Sequence, residues 1–568
     1  MHPRWILCGI AACVAACSSD TAPQAPPVCS SSSPPLTLAV GAPQFINPLT
    51  TSGCIEVTAN TSNDSAEYLV IAQSAGGTPG DSAPYSLQSG GLAARTALGA
   101  ASTGFAKSRS IWARLRQRGP VPSSFARRLH ERRVVASQRI RAGTGALPAA
   151  PTRFPRVAPP ALGSTRTFNV CADYFCDQYQ SVTATVQSVT AHVIVYVDQT
   201  APTNGLTQAE VDSLNQIFNR LYVVDTTTFG GISDIDSNGV VLALMTGVVN
   251  KLVSAAECES GGYVAGFFDP NDIVPDNGPT GNDSNHGEIF YTVVADPSGI
   301  LSCAHVVSDL TDVLPTTFLH ELQHVIGFNQ HVLVRGGPEE DVWLDEGLSS
   351  YAEEVGGRSF LPDSNTFLNY AIGDLFNAYI YLQDPQHHFL LQESDTVLED
   401  FGAGWLYIRY LMDQYGPSLA AKLEQTTLTG TTNVATQTGV PFATSSGRWS
   451  MANWASDLPG FAAPAILQYT SWPFRSVYGA LNAVDPQDFP SAYPLAPTQF
   501  VVAGAAAGFA ARAGGAQLSL AGYLYAGSGA YTLALQPAGG PGFSLLFSGQ
   551  SGSISSAIAP QLDLIRLH

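Results

Sequence analysis

Positive charge is almost absent from most of this chain. Of the 26 Lys and Arg residues, 15 fall between Gly91 and Thr167, beside a single acid, Glu131. The remainder is left with 11 basic and 44 acidic residues, out of totals of 26 and 45. A body this acidic offers no counter-charge to phosphates, so nucleic acid is excluded as an expected partner. Charge of either sign is sparse, at 12% of 568 residues. Gly, Pro, Ser, Thr and Ala abound instead, which suits β-rich exported modules joined by linkers. Beyond the first residues no apolar run is long enough to span a bilayer. No Cys-x-x-Cys pair occurs, which excludes a zinc knuckle, and no regular repeat occurs, which excludes a solenoid.

What is present begins with an export signal. "MHPRWILCGIAACVAACSSD" has a short basic start and an apolar run from Trp5 to Ala16 that ends in small residues. "VAAC" at Val14 to Cys17 resembles a bacterial lipobox. Residues 1–17 are therefore expected to be a lipoprotein signal with Cys17 as the lipid attachment point, an ordinary signal peptide being the alternative. The expected location is the bacterial cell envelope or the extracellular space, with membrane contact only through the anchor. Six cysteines remain beyond the signal. The simplest pairing joins neighbours: Cys29–Cys54, Cys171–Cys176 and Cys258–Cys303.

Composition shifts divide the rest. Residues 18–90 read as a Ser/Pro-rich tether and a small β domain. Residues 91–165 form the Arg-rich stretch, in which "SSFARRLHERRVVASQRI" reads equally as a basic helix or as a solvated linker or propeptide. Its basic pairs, Arg127–Arg128 and Arg132–Arg133, are expected to be exposed and open to trypsin. Residues 166–475 alternate strand-like and helix-like patterns, an α+β domain. Residues 486–568 read as a C-terminal β module. The expected fold is thus multidomain, with a central α+β domain flanked by small β-rich domains.

The chemistry concentrates in "TTFLHELQHVIGF". Positions four apart share one helix face, so His320 and His324 can present two imidazoles to one metal. Glu321 lies one step round, where its carboxylate reaches a metal-bound water rather than the metal. This His-Glu-x-x-His pattern points to zinc with Glu321 as general base. Pro315 and Thr316 suit the helix start and Gly327 its end. A third protein ligand is needed, and Glu346 in "VWLDEGLSSYAEE" is the candidate, with Asp345 as its rival.

These two strings together resemble the gluzincins, zinc peptidases whose third ligand is a glutamate on a following helix. "DIDSNGVV", "GEIFY" and "FGAGWLYIRYLMDQYG" extend a similarity to the hyicolysin family of secreted bacterial metallopeptidases, over roughly residues 193–457. The resemblance implies a gluzincin-like fold for the α+β domain, zinc on His320, His324 and Glu346, and hydrolysis of protein or peptide substrates. The Gly-x-Met-Glu-Asn string of the related aminopeptidases is missing, which favours an endopeptidase. Where those enzymes carry an oxyanion-stabilising Tyr, this chain has Phe401, which cannot donate a hydrogen bond. Tyr407, Tyr351, His387 and His388 are the substitutes the sequence offers. A catalytically weak or silent surface-binding module and an aminopeptidase remain alternatives.

"SDIDSNGVV" sets Asp234, Asp236, Asn238 and Gly239 in the order that opens an EF-hand loop, but Met245 stands where the closing Glu belongs. A partial calcium site on Asp234, Asp236 and Asn238 is one reading and an Asx-rich turn the other. Glu288 to Val294 reads as a strand before the metal helix, where an extended substrate would lie.

Overall fold

The first four strands of the chain do not pair with one another. They are β1 (Gln44–Ile46), β2 (Cys54–Val57), β3 (Ala66–Ser74) and β4 (Ser82–Ser89). The computed structural model describes residues 34–89, 120–143, 157–274, 283–393, 397–502, 518–549 and 552–568. Cys17 and Cys29, and with Cys29 the expected pairing to Cys54, lie outside these residues.

Next comes α1 (Pro120–Arg141), from the Arg-rich stretch. Phe125, Leu129, Ala136 and Ile140 recur at helical spacing and are all buried, which gives this helix an apolar stripe to dock. It is not a solvated linker. Arg133 is only 5% exposed, Arg132 reaches the Cys176 carbonyl at 3.1 Å, and Arg128 stacks over Phe175. The expectation of exposed basic pairs is therefore corrected. Packing of the stripe buries Arg133 and leaves Arg127, Arg128 and Arg132 half-buried, where composition alone had placed all four in solvent.

A mixed six-stranded sheet follows: β5 (Thr165–Cys171), β6 (Tyr179–Val189), β7 (Val193–Asp198), β8 (Val241–Met245), β9 (Gly266–Phe268) and β10 (Ile289–Thr292), in spatial order β5-β6-β7-β8-β10-β9. Between β7 and β8 runs α2 (Gln208–Thr228), started by a capping box of Thr207 and Glu210. Beyond β10 come α3 (Val307–Phe328), α4 (Val342–Arg358), α5 (Ser364–Gln383) and α6 (Leu398–Tyr415). Disulfides Cys171–Cys176 and Cys258–Cys303 are formed as the neighbour pairing expects. The helix carrying His320 and His324 starts earlier than expected, at Val307, with Pro315 inside it, and Gly327 does not end it. Pro315 and Gly327 both fall within stretches of this helix buried in the core, Val313 to Leu319 and Leu322 to Phe328.

The last strands are β11 (Thr498–Val501), β12 (Leu518–Tyr525), β13 (Gly529–Gln536), β14 (Phe543–Ser548) and β15 (Pro560–Arg566). They interleave with the first four in two sheets, β1-β15-β3-β13-β11 and β12-β4-β14-β2. The two β modules read separately from the sequence are one sandwich built from both ends of the chain. Strand β3 explains why it holds to the helical part. Its Tyr68, Val70 and Ala72 enter the sandwich core, while Leu69 and Ile71 point the other way into the core of the central domain. Gln73 adds a hydrogen bond from Nε2 to Ser446 Oγ at 2.8 Å. Among the described residues no helix is long and apolar enough to cross a membrane.

Candidate metal centre and cleft

His320 and His324 sit one turn apart on α3, facing α4. Close approach of the supporting helices depends on small residues. A Cβ on Gly347, beside Glu346, would stand 2.9 Å from Ile408 Cγ1 of α6. The glycine after Glu346 thus lets α4 lie against α6 while presenting Glu346 to α3.

Glu346 Oε2 lies 3.2 Å from His320 Nε2 and 3.8 Å from His324 Nε2. This oxygen is buried and, among the described residues, makes no well-directed hydrogen bond, although it lies within ion-pair distance of both imidazoles. Leaving a buried carboxylate oxygen unpaired is costly unless a cation supplies the missing interaction. The three donor atoms lie within 4.8 Å of one another, so the group can hold a metal ion. Two imidazoles and one carboxylate form a donor set that suits zinc.

The other ring nitrogens are also fixed. His320 Nδ1 lies 3.0 Å from Glu353 Oε1, and His324 Nδ1 lies 2.9 Å from Asp345 Oδ1. Each imidazole therefore turns Nδ1 to a carboxylate and Nε2 to the shared point, as metal-ligating histidines do. Asp345, the rival third ligand, occupies the outer position. Against its own burial, first His324 and then Arg133 hold its carboxyl well below the usual range. Ser349 Oγ adds a contact of 3.1 Å to His324 Nδ1. Glu353 was missed in the sequence. The signal was present, because it stands seven residues after Glu346 on the same helical face.

Glu321 lines a cleft of about 670 Å³ together with His320 and Glu346. Burial pushes its carboxyl up, against the pull of the two imidazoles. A base of raised pKa beside a metal position is suited to taking a proton near neutral pH. The facing wall comes from α1, through Phe125 and Leu129, and from Gly266 at the start of β9. Phe125 packs on Phe267 of β9 with ring centroids 5.1 Å apart. Here the strand expectation is corrected: β10 is interior, between β8 and β9, and the sheet edge beside the cleft is β9.

Phe401 lines the cleft as well. The four proposed substitutes do not. Tyr407 is fully buried and donates to Ser445 Oγ at 3.0 Å. Tyr351 faces Arg409, His387 pairs with Asp384 at 2.8 Å, and His388 lies 3.6 Å from Asp400. Asn377 of α5 does line the cleft, is 1% exposed, and has no hydrogen-bond partner at Oδ1 or Nδ2 among the described residues. Nothing in the sequence around it signalled this.

The second motif brings Asp234 and Asp236 together with Glu288 as a group able to hold a metal ion. Asn238 spends its amide locally, donating to Asp236 Oδ2 at 2.6 Å and accepting from Val240 N at 2.7 Å. Glu288 arrives from 52 positions beyond Asp236 because β10 lies beside β8. No protein-family model matches this chain, and no curated protein does.

Proposed function

We propose that the protein is an exported or lipid-anchored zinc endopeptidase, of the gluzincin kind its motifs resemble. The observation that carries the proposal is the buried Glu346 Oε2 converging with two imidazole Nε2 atoms whose opposite ring nitrogens are each held by a carboxylate. His320, His324 and Glu346 would hold the metal, and zinc there supplies Lewis acidity toward a peptide carbonyl and toward water. Glu321 accepts the proton of the attacking water on its carboxylate and returns it to the leaving amine. The apolar wall of Phe125 and Leu129 excludes solvent and receives an apolar substrate side chain. For the all-oxygen group of Asp234, Asp236 and Glu288 the proposed ion is calcium, the hard cation such donors prefer.

Two glutamate variants test the reading. Glu321→Gln keeps about one zinc per chain and loses at least ~10²-fold in peptide hydrolysis. Glu346→Ala loses both zinc and activity. Full activity in both variants sinks the proposal. Peptides with blocked and free N-termini separate endopeptidase from aminopeptidase, and cleavage of neither by zinc-loaded protein points to a binding module.

A further inference from the structure

The arginines of the Arg-rich stretch have no part in the proposed reaction, yet their helix reaches the metal centre. Arg133 of α1 is 5% exposed and meets two carboxylates at once. Its Nη2 donates to Asp345 Oδ2 at 2.7 Å and its Nε to Glu339 Oε1 at 2.5 Å. The other oxygen of the same aspartate, Oδ1, lies 2.9 Å from His324 Nδ1. One carboxylate thus links a guanidinium on α1 to an imidazole on α3. His130, one turn earlier on α1, lies 3.4 Å from Asp345 Oδ2.

We propose that Arg133 is a positioning residue for the metal site: it fixes Asp345, and Asp345 fixes His324. The proposal rests on the zinc reading above. Asp345 and Glu339 are both buried, and without a cation between them they would repel. A freed Asp345 would no longer hold its second oxygen on the imidazole. The planar guanidinium reaches both acids in one fixed geometry, which the single ammonium of a lysine cannot do. The rest of α1 is built for permanence. Phe125 packs on Phe267, and Arg132 lies 3.4 Å from Asp269 Oδ1. It follows that α1 is a standing part of the metal-holding domain rather than a segment to be shed on activation.

The test uses the full chain and reads zinc affinity by chelator competition, with the visible spectrum of the cobalt(II)-loaded protein as a second readout. The variants are Arg133→Met, Asp345→Asn and the pair together. Arg133→Met should loosen zinc by ~10–100-fold and alter the cobalt bands, with the far-ultraviolet circular dichroism unchanged. The double variant should bind zinc no more weakly than Asp345→Asn alone, because both changes break one chain of contacts. Independent, multiplying losses overturn the proposal, as does unchanged affinity in a folded Arg133→Met. Faster peptide cleavage at unchanged zinc affinity also overturns it, and makes α1 a displaceable plug. If Arg133→Met does not fold, Arg133→Met with Glu339→Gln removes the stranded acid, and Arg133→Lys tests the fork alone. The same loosening is expected in both, and wild-type affinity in both rejects the role. His320→Ala is the control: zinc binding indifferent to it defeats the zinc reading itself, whatever Arg133 does.

Discussion

Glu353 Oε1 lies 3.0 Å from Nδ1 of His320, on the side of the ring opposite Glu346. The carboxylate is 2% exposed, so it meets the imidazole in a site nearly free of water. Such a bond fixes the ring's tautomer, leaving Nε2 with a lone pair for a metal, and raises its basicity.

Glu353→Ala should therefore cost ~10–100-fold in zinc affinity while leaving all three ligands in place. Glu353→Gln can still hydrogen-bond the ring and should fall between wild type and Ala. Competition with a chelator of known zinc affinity measures both. Equal affinity in all three proteins would remove Glu353 from the site's design.

The proposed metal-holding group of His320, His324 and Glu346 was legible because a helix converts spacing into direction. His320 and His324 needed only the period of α3, and Glu346 needed only a second helix nearby. Residues held by tertiary packing were not legible. Arg133 lies 212 positions from Asp345, and Glu288 lies 52 positions from Asp236. Neither separation carries a local signal. The sandwich failed for the same reason. "EYLVIAQSA" announces a strand, but nothing in it names β13 and β15, more than 400 residues on, as its neighbours. Alternation gives the faces of a strand, and the partner across each edge is decided by the whole fold. In α1 the apolar stripe was visible, but the density of arginine made solvent the equally good reading, until docking buried Arg133.

Glu340 supplies a pH dependence outside the metal site. It is 4% exposed, accepts from Gly430 N at 2.6 Å and from Asn433 Nδ2 at 2.9 Å, and lies 3.8 Å from His331 Nε2. Burial, only partly offset by these bonds, pushes its carboxyl from 4.5 up to about 8. An acid raised on folding favours the folded state while both states are protonated, below about pH 4.5. That support is lost as pH rises through the folded value near 8. Wild type should lose up to roughly 5 kcal/mol from this group between those limits, and Glu340→Gln should not lose it. Urea unfolding at pH 5, 7 and 9 checks this. Parallel stability profiles for the two proteins would show that Glu340 is ionised in the fold.

Asn377 bears on the missing tyrosine. Phe401 lines the cleft without a donor, while Asn377 lines the same cleft with a buried amide that has no hydrogen-bond partner among the described residues. An unpaired buried amide lowers stability, and a site that develops negative charge on a carbonyl oxygen has a use for it. Asn377→Leu should then raise or preserve the melting temperature, because an unsatisfied polar group is replaced by an apolar one of similar size. In the same variant kcat for peptide cleavage should fall by ~10²–10³-fold, with KM and zinc content little changed, the pattern of a contact made only in the transition state. Adding Phe401→Tyr to Asn377→Leu restores a donor to the cleft and should recover part of kcat. Wild-type kcat in Asn377→Leu, or a loss that tracks loss of zinc, would assign the oxyanion to another group.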